Sequence, residues 1–90
     1  MKSEKIIQKN RKKLDEITRD ITKLIAKRNR IVLKIGKIKK QFGLPVTDLK
    51  RDKEVIKKAK TIAKKTGVNI DAIEKIIKIL IKHAKEIQKK

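Results

Sequence analysis

The fold is decided by residues 7–42, which read IQKNRKKLDEITRDITKLIAKRNRIVLKIGKIKKQF. Apolar residues recur in this stretch with a heptad-like period, and no proline interrupts it. One apolar line consists of Ile7, Leu14, Ile21, Ile35 and Phe42, and it is flanked by Ile17, Leu24, Ile31 and Ile38. This periodicity predicts one long amphipathic helix over about residues 4–42, which tolerates the glycine near its end.

A turn after Phe42 separates the long helix from a second one. Within Gly43–Pro45, glycine suits the left-handed position that follows a helix, and proline disfavours helix in the residue before it. Thr47 or Asp48 can then cap a second helix over about residues 48–66, which carries its apolar residues on one side.

A third helix follows Gly67. Asn69 is a favourable N-cap, and isoleucine, leucine and alanine share one face over about residues 70–88. No segment alternates long enough with a period of two to form a strand, and no repeat or low-complexity linker interrupts the chain. We therefore expect an all-α fold of three helices, one long and two shorter, in a single domain over residues 1–90.

The long helix needs more apolar surface than the rest of the chain can supply. At about 1.5 Å per residue it extends over roughly 50 Å, which exceeds the width of a compact domain of this size. A chain of 90 residues often needs a partner for stability, and the absence of cysteine excludes disulfides. An intertwined helical homodimer is the simplest arrangement that meets both needs.

The charge of the chain is strongly positive, with a formal value of +19. Taken alone, this value favours a nucleic acid, an anionic membrane surface or an acidic partner. Yet 24 of the 29 cations are lysines scattered between isoleucines, a bias that genome composition or a high growth temperature also produces. Phe42 is the single aromatic residue, so nothing allows bases to stack and nucleic-acid binding is not expected.

Several other classes of protein and site are disfavoured. Near the N-terminus only Ile6 and Ile7 form an apolar pair, which fits neither a signal peptide nor a membrane span, so a cytoplasmic protein is expected. His83 is the single histidine and is predicted to be a surface residue. The chain has no nucleophile beside a base, no glycine-rich phosphate loop and no metal-ligand spacing, so neither a metal nor a cofactor is expected.

Three cations lie on the apolar side of the long helix. Arg28 occupies the main apolar line, Lys39 lies on its flank, and Arg11 lies one turn before Leu14. Arg28 and Lys39 point the same way, with α-carbons roughly 16 Å apart, so both can reach a small anion. Arg11 lies roughly 40 Å from Lys39 along the same straight helix. If all three serve one anion site, Arg11 comes from a second chain.

Further polar residues lie at the edges of the shorter helices. Gln88 places an amide beside the apolar face of the third helix, and Asp48, Arg51 and Asp52 share one side of the second. Three alternatives stay open: that Asp48 is only an N-cap, that Arg28 pairs with a buried carboxylate, and that Gln88 is a frayed terminal residue. Convergent cations with a neutral amide suit a small dicarboxylate and a reaction driven by positioning and electrostatics.

Four stretches resemble the all-helical chorismate mutases of bacteria and archaea. They are Arg11 with KKLDEI after it, LIAKRNRIVLKIGKIKK over residues 24–40, LPVTDLKRDKEV over residues 44–55, and ILIKHAKEIQ ending at Gln88. The resemblance covers nearly the whole chain. It implies an intertwined homodimer that converts chorismate to prephenate on the route to phenylalanine and tyrosine, without metal or cofactor.

The resemblance also implies a role for the four residues nearest the reacting bonds. Arg28 and the partner subunit's Arg11 would bind the two carboxylates of the substrate. Lys39 would reach a carboxylate and the ether oxygen, and Gln88 would donate to that same ether oxygen. Fixed donors at this oxygen would stabilise the negative charge that builds there in the transition state.

At the remaining positions the chain departs from the family twice. By resemblance, Asp48 and residue 52 hold the ring hydroxyl, with Arg51 in support. Residue 52 is Asp where glutamate is usual, and Ala84 stands where many relatives offer a hydroxyl near a substrate carboxylate. These departures leave open a catalytically weakened mutase scaffold. The positive charge leaves open a function of another class, a basic helical module that binds nucleic acid or an acidic partner.

Overall fold

A computed structural model describes the whole chain, Met1–Lys90, as three α-helices without a strand. Helix α1 is Lys2–Gln41, α2 is Leu49–Thr66 and α3 is Ile70–Lys89. The prediction of an all-α fold with one long and two shorter helices is confirmed. Helix α1 begins slightly before its predicted start, and α3 extends slightly past its predicted end.

Helix α1 ends in a glycine turn. Gly43 has a φ of 67°, a left-handed conformation that favours glycine. The backbone N–H of Leu44 donates to the Lys39 carbonyl at 2.8 Å, and that of Gly43 donates to the Lys40 carbonyl at 3.4 Å. These two bonds satisfy carbonyls at the helix end that would otherwise lack a partner, and they reverse the chain direction.

The shorter helices begin at side-chain caps. Of the two candidates for α2, Asp48 is the N-cap, and its side chain accepts from the Arg51 N–H at 3.0 Å. The Asn69 side chain accepts from the Ala72 N–H at 2.9 Å at the start of α3. Between them Gly67, with a φ of 76°, ends α2.

The chain divides into two compact units, Met1–Ile31 and Val32–Lys90. The first unit is helical from Lys2 onward and contains no buried residue. Seven of its large apolar side chains are about half exposed or more: Ile6, Ile7, Leu14, Ile17, Ile21, Leu24 and Ile31. This unit therefore has no core of its own within one chain.

The second unit contains the end of α1 and the pair formed by α2 and α3, which pack against each other. Two ion pairs join the two helices: Lys60 with Glu74, and Lys85 with Asp52 at 3.0 Å. One joins the start of α2 to the end of α3, so the two helices are antiparallel. The buried residues of this unit are Val32, Gly36 and Ala63.

The pair at Glu74 affects the acidity of that residue. A hydrogen bond from Lys60, helped by the charges of Lys60 and Lys78, lowers the pKa of the Glu74 carboxyl below its usual value of 4.5. None of the three helices combines the length and the apolar character that a membrane-spanning helix requires.

Candidate active site

The side chain of Lys39 is the centre of a polar cluster in the second unit. Its ammonium donates to the Val46 carbonyl at 3.1 Å and to Gln88 Oε1 at 3.4 Å. The glycine turn after α1 brings the following loop back past Lys39, which places the carbonyl within reach. The structure thus brings together two of the residues that the sequence singles out, Lys39 and Gln88, although they belong to different helices.

A pocket of about 310 Å³ lies at this cluster. Its walls come from the end of α1, the loop after it and the end of α3, and its lining residues are Gly36, Lys39, Lys40, Leu44, Val46, Gln88 and Lys89. Three of these residues are lysines, and no acidic residue is among them. Such a pocket suits a small anionic ligand, because cations and a neutral donor line it together.

The amide of Gln88 has a defined orientation. Its Oε1 faces the Lys39 ammonium, which leaves Nε2 as the end that can donate to a ligand. Gln88 lies within α3 and is half-buried. These observations argue against the alternative that it is a frayed terminal residue.

Arg28, in the first unit, is half-buried, and its Nη1 atom is enclosed without a hydrogen-bond partner. The alternative that Arg28 pairs with a buried carboxylate finds no support at this nitrogen. An enclosed cationic nitrogen without an acceptor is costly, so the guanidinium is stabilised if a movement of the side chain lets it meet an anion. Arg11, in the same unit, is exposed.

The start of α2 carries three more candidate residues. The capping role of Asp48 is confirmed. The cap hydrogen bond from the Arg51 N–H occupies Oδ1, so Oδ2 is the oxygen that remains for a ligand. The Arg51 guanidinium lies 3.5 Å from Glu54, and both side chains are exposed. Asp52 is half-buried and pairs through Oδ2 with Lys85.

Sequence reasoning missed Lys85 as a partner of the site. Its side chain and that of Asp52 are 30% and 22% exposed, so solvent screens the pair only in part. The signal in the sequence was slight: Lys85 follows Ala84, itself half-buried, in a helix rich in lysine. Only the antiparallel register of α2 and α3 identifies which lysine faces Asp52.

His83 lies outside the cluster. It is exposed, as predicted, and its Nδ1 is 3.5 Å from a Glu86 carboxylate oxygen. No group of three or more His, Cys, Asp or Glu side chains is arranged to hold a metal ion.

Comparisons with known proteins identify relatives of the chain. The model of the family described as chorismate mutase type II matches residues 10–89. A chorismate mutase from Methanocaldococcus jannaschii is 40% identical over 79 residues, which span 88% of this chain and 80% of that protein.

Longer proteins match over part of their length. The bifunctional chorismate mutase/prephenate dehydratase of Buchnera aphidicola subsp. Schizaphis graminum is 30% identical over 80 residues, which span 89% of this chain and 21% of that protein. The T-protein of Haemophilus influenzae is 32% identical over 68 residues, which span 76% of this chain and 18% of that protein. No solved structure matches the chain significantly.

Proposed function

Because the chain belongs to the type II chorismate mutase family, we propose that it is an isomerase that converts chorismate to prephenate. In this reaction the ether bond breaks while a carbon–carbon bond forms within the same molecule. No atom is gained or lost, and no covalent bond to the protein is needed. The protein contributes by holding the reactive conformation and by stabilising charge.

The observation that carries this proposal is the convergence of Lys39 and Gln88 on one small cationic pocket. As the ether bond breaks, negative charge accumulates on its oxygen. The ammonium of Lys39 and the amide N–H₂ of Gln88 donate to this oxygen in the proposed complex. Donors fixed in advance stabilise the transition state more than the substrate, which accelerates the reaction.

The two carboxylates of the substrate require further cations. Arg28 binds one of them in this proposal, in keeping with its enclosed Nη1 atom that has no acceptor in the chain. The partner subunit's Arg11 binds the other, as the family resemblance implies. Ala84 offers no hydroxyl at its position, so a substrate carboxylate is bound less tightly there than in relatives that have a hydroxyl side chain.

The ring hydroxyl of the substrate is assigned to the start of α2. Asp48 offers the carboxylate oxygen that the helix cap leaves free, and Arg51 supports it. Asp52 is the second acceptor, and its pair with Lys85 holds its carboxylate in place. The shorter side chain of Asp52 reaches less far than glutamate, which predicts weaker binding of the substrate without loss of the reaction.

We further propose that two chains intertwine into a homodimer whose sites each draw residues from both chains. The first unit leaves the apolar stripe of α1 exposed, although an amphipathic helix of this kind is stable only when that stripe is covered. A second copy of the chain would cover it. We also propose a cytoplasmic location, because biosynthetic enzymes of small metabolites act in the compartment that makes their substrates, which is ordinarily the cytoplasm.

Loss of the ultraviolet absorbance of chorismate tests the proposed activity. Purified protein is expected to consume chorismate faster than the uncatalysed reaction. Chromatography should identify prephenate as the product, in an amount equal to the chorismate consumed. A preparation of Lys39→Ala made in the same way controls for a contaminating mutase from the expression host. Turnover no faster than the uncatalysed background would contradict the proposal.

A further inference from the structure

Gly36 is a buried glycine inside a regular helix. Its backbone does not require glycine, because only Gly43 and Gly67 have a positive φ in this chain. Glycine also weakens a helix interior relative to alanine. A different feature must therefore account for the advantage of glycine at this position.

That feature is the close approach of α3. A β-carbon at position 36 would lie 3.0 Å from Cγ, 3.1 Å from Cα and 3.2 Å from Cβ of Gln88. Rotation of the Gln88 side chain can move Cγ, but it cannot move Cα or Cβ. A methyl group on residue 36 would therefore push the backbone of α3 away from α1 at the position that carries the amide.

The contact also bears on the pocket. Gly36 and Lys39 lie one turn apart on α1, so they share the face that meets Gln88. Both residues line the pocket together with Gln88, whose Oε1 lies 3.4 Å from the Lys39 ammonium. The distance between the two helix backbones at position 36 thus sets how far the Gln88 amide extends into the pocket.

We propose that Gly36 is a positioning residue for the reaction: its missing side chain allows the α3 backbone to approach, which places the Gln88 amide against the reacting ether oxygen. This inference rests on the proposed function. A donor is effective at about 2.7–3.1 Å from the developing charge, so a shift of a few tenths of an ångström or more weakens it. Gly36→Ala is therefore expected to lower kcat by about 10- to 100-fold, with a smaller change in KM.

Gly67→Ala is the matched control. It makes the same chemical change at a glycine whose added β-carbon would meet nothing within 4 Å, although its φ of 76° disfavours alanine. We expect Gly67→Ala to lower the melting temperature and to retain the kcat of the parent. Gly36→Ala is expected to show the opposite pattern: a large loss of kcat that its change in melting temperature does not explain. Rates are normalised to the folded fraction measured by circular dichroism.

A double-mutant cycle with Gln88→Ala separates positioning from general damage. If Gly36 acts through the amide, Gly36→Ala lowers kcat in the parent but changes it less than threefold once the amide is absent. Equal losses in both backgrounds would overturn the inference, and so would an unchanged kcat in Gly36→Ala alone.

The inference can fail separately from the proposed function. Turnover by the parent protein tests the function, whereas the cycle tests Gly36. The ¹⁵N-resolved NMR signals of the Gln88 side-chain amide provide a readout that does not need turnover. We expect these signals to shift in Gly36→Ala and to stay in place in Gly67→Ala. Unshifted signals in Gly36→Ala would overturn the inference even if the enzyme is active.

Discussion

The Lys39 ammonium donates to Gln88 Oε1 at 3.4 Å, although the two residues lie 49 positions apart in the chain. Lys39 is near the end of α1 and Gln88 is near the end of α3. A charged donor and a neutral amide therefore meet at one wall of a pocket. The Lys39 ammonium keeps one hydrogen beyond its two bonds, and the Gln88 amide keeps its Nε2 hydrogens, which suits an oxygen that becomes negative as a bond breaks.

Replacing the lysine of this pair tests the charged donor. We expect Lys39→Ala to lower kcat by about 100-fold or more, because loss of one donor to a developing oxyanion has an effect of this size. Lys37→Ala, which removes an exposed lysine of the same helix, is the control and is expected to retain kcat. A near-normal kcat in Lys39→Ala, measured under substrate saturation, would remove Lys39 from the mechanism.

The amide of the pair predicts a pH effect. A carboxyl group introduced by Gln88→Glu can donate to the ether oxygen only when it is protonated, and the adjacent Lys39 stabilises its ionised form. We expect kcat/KM of this variant to rise by about tenfold for each unit of decrease in pH above the pKa of the new group. Gln41→Glu, an exposed substitution of the same kind, should follow the parent. A pH profile of Gln88→Glu that matches the parent would refute the donor role.

The pair between Asp52 and Lys85 predicts an effect on substrate binding. Lys85→Ala leaves the half-buried Asp52 carboxylate without its cation, so the carboxylate is held less well toward the ring hydroxyl. We expect KM to rise about fivefold, which corresponds to roughly 1 kcal/mol of lost ion pairing, with a smaller change in kcat. Lys82→Ala removes the same charge from an exposed position of α3 and is the control. Equal KM values for the two variants would show that only net charge matters.

Glu74 predicts how the stability of the fold depends on pH. Its pKa is lowered in the folded chain, chiefly by the hydrogen bond from Lys60. The ion pair therefore stabilises the fold above the usual carboxyl pKa of 4.5, and this contribution is lost as the pH falls through the lowered value. We expect Glu74→Gln to lower the melting temperature at neutral pH and to converge with the parent in acid.

Thermal unfolding followed by circular dichroism between neutral pH and pH 3 measures this convergence. Glu16→Gln removes an exposed carboxylate of α1 that forms none of the ion pairs described above, and it should keep a constant offset from the parent. A constant offset for Glu74→Gln as well would contradict the assignment.

Local signals in the sequence predicted most of the secondary structure. The heptad-like period gave α1, and Gly43, Asp48, Gly67 and Asn69 marked helix ends that the structure contains. Each signal acts within a few residues of the chain, through backbone conformation or a short side-chain hydrogen bond. Such effects do not depend on how the helices pack.

Contacts between helices were harder to predict. Placing Lys39 and Gln88 near inner faces was possible from periodicity, because Lys39 lies on the flank of the apolar line of α1 and Gln88 lies beside the apolar face of α3. The pairing of Asp52 with Lys85 and the role of Gly36 depend on the register of antiparallel helices and on a backbone approach of about 3 Å. Neither leaves a local signature in the sequence. Helix α3 contains several lysines that could face Asp52, and a glycine within a helix indicates only lower helix propensity.

In the proposed dimer, each active site is completed by residues of two chains. Arg11→Ala and Arg28→Ala are each expected to be nearly inactive as purified homodimers. Mixed in equal amounts under conditions that exchange subunits, they form heterodimers in which one of two sites contains both arginines. We expect recovery of about one quarter of the parental kcat, because about half of the dimers are mixed and each has one intact site. No recovery, with subunit exchange proven by mass-tagged chains, would contradict the shared site.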